Sequence, residues 1–184
     1  WAGSSDTYTF IENNALVRGR IYAESRDTLL RLKDLNAVLA PEEGKELKRF
    51  PGITWMDPSS FRFVHNNTIW GYNIPERTAK ALNSFPEEAQ NQDFEEEKGA
   101  LAYTIDNNLF IRSNGEDVQV TRDTDPGIVN GQEVHRREFG IEGGTFWSPD
   151  GRKLAFYRKD ESMVAEYPLV ETSTRIATVK NTRY

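Results

Sequence analysis

No cysteine occurs in the 184 residues. That excludes disulfides, thiolate metal sites and a cysteine nucleophile, and it leaves the compartment open. Histidine occurs twice, at His65 and His135; two isolated imidazoles make a poor metal site, so neither a metal nor a cofactor is expected. Positive charge is in deficit, with 23 Lys and Arg against 29 Asp and Glu and a net charge of −6. A nucleic-acid partner is not expected, because phosphate contacts need a basic face. No apolar run approaches the roughly 20 residues that a membrane helix needs, so no span is expected, and no signal peptide is visible. The chain opens on Trp1 rather than Met, which fits a processed or an artificially made start and, equally, one from which a secretory leader has been removed. Gly-x-Ser-x-Gly is also missing. Gly3-Ser4-Ser5-Asp6 lacks the second glycine, and Ser148 sits in a turn before Pro149. No catalytic residue is expected in this chain.

Aromatics are plentiful: ten Phe, seven Tyr and four Trp point to a sheet protein whose core is filled by rings. The most legible stretch runs from Gly143 to Arg158. Thr145 to Trp147 reads as a strand, Ser148-Pro149-Asp150-Gly151 as a turn and Leu154 to Tyr157 as a second strand. Weaker copies lie upstream. Ile53-Thr54-Trp55, a turn over Met56 to Ser60, and Phe61 to Val64 form one, with Phe61 and Phe63 on one face. Ala100 to Thr104, the turn Asp106-Asn107-Asn108 and Leu109 to Ile111 form another. In the first copy, Tyr8 to Ile11, Leu16 to Tyr22 and Leu29 to Leu32 read as strands, with turns at Glu12-Asn13-Asn14 and Ser25-Arg26-Asp27. Asp34 to Arg49 reads as a helical turn followed by a loop. Short strands repeating at roughly 40 to 55 residues predict propeller blades.

The expected fold is therefore all-β, with blades over 1–49, 50–84, 85–121 and 143–184 and an insertion at 122–142. Within the insertion, Asn130 is placed to cap a short helix from Gly131 to Phe139, ended by Gly140. Excursions from a rigid sheet are where binding residues tend to sit. Phe146, Trp147 and Phe156 are expected in the core. The acidic run Glu87, Glu88, Asp93, Glu95, Glu96 and Glu97 lacks the ligand and glycine alternation of a calcium loop and is read as a solvated connector. Both histidines are read as surface residues.

Val134-His135-Arg136-Arg137-Glu138-Phe139-Gly140-Ile141, Phe146-Trp147-Ser148-Pro149-Asp150-Gly151, Leu154-Ala155-Phe156-Tyr157-Arg158 and Asp160 to Val164 together resemble the propeller of prolyl oligopeptidase-type serine peptidases. Within them the dipeptidyl peptidase IV branch and its prolyl tripeptidyl peptidase cousins are the nearest in pattern. The match is specific from about Phe94 to Val170 and generic before it. The resemblance implies an eight-bladed propeller capping an α/β-hydrolase domain, of which this chain is about four blades, the N-terminal half. Family members continue after this point with Tyr-Pro-x-Ala-Gly, whose Tyr matches Tyr184. The implied partners are the chain's own C-terminal hydrolase domain, a peptide substrate with a free N-terminus and a proline near the cut, and a second copy in a homodimer. The implied location is the periplasm or the exterior.

In the family a glutamate on the propeller's inserted helix binds the substrate's α-amino group, and the resemblance carries that role onto Glu138. A carboxylate at a fixed distance from the nucleophile acts as a ruler, holding the ammonium by charge-assisted hydrogen bonds. The bland reading is a surface pair between Glu138 and Arg136 or Arg137. Arg136, Arg137 and Phe139 are the neighbours expected near the substrate cavity, Phe139 also serving to staple the insertion. The dipeptidyl enzymes carry adjacent glutamates where this chain has Arg137-Glu138, and His-Arg-Arg-Glu-Phe is closer to the tripeptidyl form. The stretch Asn83 to Gln90 also lacks the arginine that holds the substrate carbonyl in the dipeptidyl enzymes; Arg136 and Arg112 are the available substitutes. The rival expectation is a non-enzymatic periplasmic propeller that binds or scaffolds. A half-propeller exposes sheet faces and unpaired edges, so the polypeptide alone is expected to self-associate or to fold poorly.

Overall fold

The computed structural model describes residues 6–39, 45–134, 140–173 and 175–183. The chain divides into two compact units, Trp1–Glu87 and Glu88–Tyr184.

The first unit holds two antiparallel sheets in simple meander order. Strands β1 (Thr7–Glu12), β2 (Ala15–Arg20) and β3 (Ala23–Arg31) form one, and β4 (Thr54–Asp57), β5 (Ser60–His65), β6 (Thr68–Asn73) and β7 (Thr78–Ser84) form the other. Between them in sequence lies α1 (Leu32–Leu39), the one helix among the described residues. It buries Leu35, one of the apolar positions that predicted a helical turn here. Ser25, Arg26 and Asp27 do not turn the chain as expected; they lie inside β3, where Arg26 and Asp27 oppose Gly19 and Arg18. The Arg18–Asp27 ion pair across the ladder, 3.1 Å, makes these polar residues compatible with a strand.

The core of this unit is Leu16, Leu30, Leu35, Phe50, Phe61, Phe63 and Tyr72. Phe61 and Phe63 share a face because side chains alternate along β5, and both are buried. Phe61 faces Tyr72 across the β5–β6 ladder and stacks on it at 5.3 Å. Burial of each such ring contributes about 1.5–3 kcal/mol. Asn36 closes the polar side, its amide group trading two hydrogen bonds with the backbone of Leu47. His65 Nε2 lies 2.7 Å from the Lys45 carbonyl oxygen in an exposed setting.

The second unit is built on the four-stranded sheet β8 (Gln90–Phe94), β9 (Leu101–Ile105), β10 (Asn108–Ser113) and β11 (Glu116–Gln119), again paired in sequence order. Four consecutive residues of β9, Leu101 to Thr104, are buried, the signature of a strand covered on both faces. Three two-stranded ladders follow. Strand β12 (Ile128–Asn130) pairs with β15 (Arg158–Asp160), β13 (Thr145–Trp147) with β14 (Leu154–Phe156), and β16 (Glu166–Glu171) with β17 (Thr178–Arg183).

The Ser148–Gly151 turn forms as read. Gly151 N–H bonds the Ser148 carbonyl at 2.8 Å with a φ of 63° at Gly151, and Ser148 Oγ donates to Asp150 at 2.6 Å. Phe146 is a correction: it is 44 % exposed and meets Tyr157 edge-on instead of entering the core. Trp147 and Phe156 are half-buried. A two-stranded ladder shields too little surface to enclose three rings.

The acidic run is a second correction. Asp93 accepts from Thr145 Oγ1 at 2.7 Å, and its carbonyl accepts from Trp147 Nε1 at 3.2 Å. Glu95 is buried, and its carboxylate takes the Glu97 and Lys98 backbone N–H groups at 2.8 and 2.6 Å. These two carboxylates bind β8 to the β13–β14 hairpin and fold the turn before β9, while Glu87, Glu88, Glu96 and Glu97 remain exposed.

Candidate functional site

The insertion follows β11 within the second unit and is held by the tip of the β9–β10 hairpin. Asp106 and Asn107 occupy the β9–β10 turn, and Asn107 bonds the insertion through both its backbone and its side chain. Its carbonyl accepts from the Asn130 backbone N–H at 3.0 Å and from Asn130 Nδ2 at 3.1 Å. Its side-chain oxygen accepts from Gln132 Nε2 at 2.9 Å, and its Nδ2 donates to the Pro126 carbonyl at 3.1 Å. Asn108 adds a second clamp, accepting from Asp123 N–H at 2.8 Å and donating to the Asp123 carbonyl at 2.9 Å. One turn therefore holds the insertion at residues 123, 126, 130 and 132.

Asn130 is fully buried and lies in β12, not at a helix cap. Its Nδ2 also donates to Asp123 Oδ2 at 3.0 Å, and Arg158 Nη2 donates to Asp123 Oδ1 at 2.9 Å. The bonds from Arg158 and Asn130 hold the Asp123 carboxyl below its usual range. The Asp123 partner raises Arg158 in turn, so this link carries full charge at neutral pH.

The expected helix over Gly131–Phe139 does not begin where it was placed. Residues 131–134 are irregular, and Gly131 takes a φ of 66°. A side chain there would meet Leu109 Cδ1 at 2.9 Å, so glycine is required both by conformation and by room. On the return, Gly144 lies so close to Gln132 that a Cβ would fall on the Gln132 backbone. Gly131 N–H bonds the Tyr157 carbonyl, and Tyr157 N–H bonds the Gly144 carbonyl, both at 2.9 Å. The two ends of the excursion thus meet at Gln132 and Gly144, and β15 and the Asn107 turn lock that junction. Glu138, Arg136, Arg137 and Phe139, with His135, lie outside the described residues. Arg112, the other candidate for holding a substrate carbonyl, pairs with Asp117 at 3.0 Å.

Beside the junction opens a polar cleft of about 560 Å³ whose lining includes Asp106, Asp123, Asp125, Thr104 and Gln132. Asp123 is offset by Arg158, and the other two carboxylates, Asp106 and Asp125, give the concavity a negative potential, which favours a cationic visitor. Among the described residues no group of three metal-ligating side chains converges.

The anchoring role of Asp106–Asn108 is not apparent from the sequence, where these residues read only as a tight turn. The available signal is the third polar side chain. A type I′ hairpin loop needs two residues with positive φ, here Asp106 and Asn107, and Asn108 is surplus to that need.

Antiparallel sheets of up to four short strands, joined in sequence order and carrying one pinned excursion, define a partial β-propeller with an insertion. Residues 55–184 match the family described as dipeptidyl peptidase IV (DPP IV) N-terminal region, and the chain belongs to that family. It is 32 % identical over 147 residues to a Talaromyces marneffei protein named "Probable dipeptidyl-aminopeptidase B", covering 68 % of this chain and 16 % of that protein. The chain spans about a sixth of the length of the curated relatives it matches. A Bacteroides ovatus ATCC 8483 structure assigned as a dipeptidyl aminopeptidase IV aligns over all of this chain and 25 % of its own, at 34 % identity and a TM-score of 0.77. Porphyromonas gingivalis dipeptidyl peptidase 4 shares the fold, at 23 % identity over 97 % of this chain and 27 % of its own, with a TM-score of 0.61.

Proposed function

We propose that this chain is the gating and N-terminus-recognition portion of a serine exopeptidase that releases Xaa-Pro dipeptides or Xaa-Xaa-Pro tripeptides in the periplasm or outside the cell. The hydrolase domain supplies the nucleophile; this chain supplies the ruler. Glu138 takes the substrate's α-ammonium, and Arg136, Arg137 and Phe139 border the place where it docks. The observation that supports this reading is the pinned junction at Gln132 and Gly144, taken with the family match. A loop whose ends are fixed to a sheet edge has less conformational entropy to lose on binding than a free one. The carboxylates of the neighbouring cleft bias the approach of a positive peptide end. A homodimer of the whole enzyme is part of the same proposal.

The test uses the full-length protein with proline p-nitroanilides of two and three residues, each with a free or an acetylated N-terminus. Free-amine substrates are expected to turn over and acetylated ones not. Glu138→Gln is expected to lower kcat/KM for the free amine by about 100-fold, or about 3 kcal/mol, the scale of a desolvated charge-assisted contact. Glu138→Gln with unchanged kcat/KM sinks the anchor. No turnover by the full-length protein sinks the peptidase and leaves a binding propeller.

A further inference from the structure

The first unit contains a cleft that the peptidase reading does not use. Directly opposed residues of β1 and β2 share a face: Ile11 with Leu16, Thr9 with Arg18, and Thr7 with Arg20. Leu16 is buried in the core. Two and four residues further along the same face stand Arg18 and Arg20. The seam between the two sheets is therefore apolar at one end and opens at the other into a cleft carrying two guanidinium groups. Its volume is about 290 Å³, and among the described residues no carboxylate lines it. Leu29, Trp55 and Ile74 form apolar walls, with Thr7 and Ser59 as hydroxyl donors at the rim. Trp55 is fixed there because its Nε1 donates to Thr9 Oγ1 at 3.2 Å.

We infer that this cleft binds a small organic carboxylate with an apolar body. The volume lies at the lower end of small-molecule sites, about 300 Å³. The charge selects the ligand. Arg18 is committed to Asp27 at 3.1 Å, whereas the Arg20 guanidinium has no hydrogen bond or ion pair among the described residues. One free guanidinium neutralises one negative charge, and its planar fork matches a carboxylate in two-point contact. A phosphate dianion is left half-compensated, and a neutral ligand leaves the fork unused. The indole of Trp55 and the aliphatic walls take the body of the acid.

The experiment is calorimetric titration of the full-length protein with 3-phenylpropionate, 3-phenylpropionamide and inorganic phosphate. The acid is expected to bind, with the amide and phosphate at least tenfold weaker. Arg20→Gln is expected to weaken the acid about tenfold, and Arg20→Lys to restore part of the loss. Because Arg20 is exposed and its side chain has no partner among the described residues, both variants are expected to melt as the parent does and to keep its turnover of proline peptides, so this result is independent of the peptidase reading. Absence of binding by the acid, equal binding of the amide, equal binding of phosphate, or an unchanged affinity in Arg20→Gln each overturns the inference. The comparison of acid with amide needs no variant and stands even if a substitution perturbs the sheet.

Discussion

At the scale of single residues, Tyr103 shows how burial and one hydrogen bond set a measurable property. Its side chain is buried, stacks on Phe110 at 5.5 Å, and donates its hydroxyl to Asp117 at 2.8 Å. Burial first, and then the Asp117 bond and charge, push the phenol up to about 12. The folded pKa lies above the unfolded value of about 10. The neutral phenol's stabilising contribution is therefore complete below about pH 10 and is lost as pH rises from about 10 toward about 12. Tyrosinate absorbance of the full-length protein is expected to show a late step near pH 12, coincident with loss of structure. Tyr103→Phe is expected to remove that step and to cost about 1 kcal/mol, the net worth of one hydrogen bond. A late step that survives in Tyr103→Phe assigns it to another tyrosine and defeats the argument.

At the scale of elements, the chain turns by one repeated device. Four hairpins place two consecutive residues at positive φ: Asn13 and Asn14, Asn66 and Asn67, Asp106 and Asn107, and Asn114 and Gly115. This is the turn whose twist matches that of paired strands, and asparagine tolerates the left-handed region better than most residues. Asn67 offers a clean test, since its recorded long-range bond, from Phe85 N–H, is to its backbone carbonyl. Asn67→Ala is expected to lower stability by about 1 kcal/mol, and Asn67→Gly to be neutral or stabilising. Equal melting of the two variants in thermal denaturation contradicts this account. The same device explains what the sequence reveals and what it hides. Paired asparagines between apolar runs mark hairpins, so most strands are legible, as is the alternation that buries Phe61 and Phe63. Long-range partners leave no such local mark. Asn107 looks like any turn residue, yet it holds Asn130 and Gln132, and Glu95 looks solvated until the turn it caps is seen. Ser25-Arg26-Asp27 has turn composition but lies within β3, because cross-strand pairing with Arg18 outweighs local preference. The candidate anchor, Glu138, is readable from the sequence only through the family resemblance, since a lone glutamate between arginines and a phenylalanine has no chemistry that spacing alone reveals.

At the scale of the whole molecule, the last ladder in the sequence, β16–β17, exposes apolar side chains that a neighbouring chain can cover. In β16–β17, Tyr167 is 60 % exposed, Leu169 50 %, Val170 62 % and Val179 64 %. Val170 and Val179 are directly opposed and so share a face, while Tyr167 and Leu169 lie on the other. Both faces of the two-stranded ladder thus carry exposed apolar side chains among polar ones, and in isolation its edges carry unpaired backbone groups that template pairing with another chain. The net charge of −6 is spread over the whole chain, and screening at physiological salt confines its repulsion to about 8 Å. Apolar contact between ladders therefore wins over repulsion. The polypeptide 1–184 expressed alone is expected to elute from a size-exclusion column as oligomers whose size grows with concentration. Replacing the opposed pair by opposite charges, Val170→Lys with Val179→Glu, keeps a favourable cross-strand contact while removing the apolar face, and is expected to shift the population toward monomer. A compact monomer from the unaltered polypeptide means that this ladder is not sticky enough to associate. An oligomer indifferent to the double substitution moves the contact to another surface.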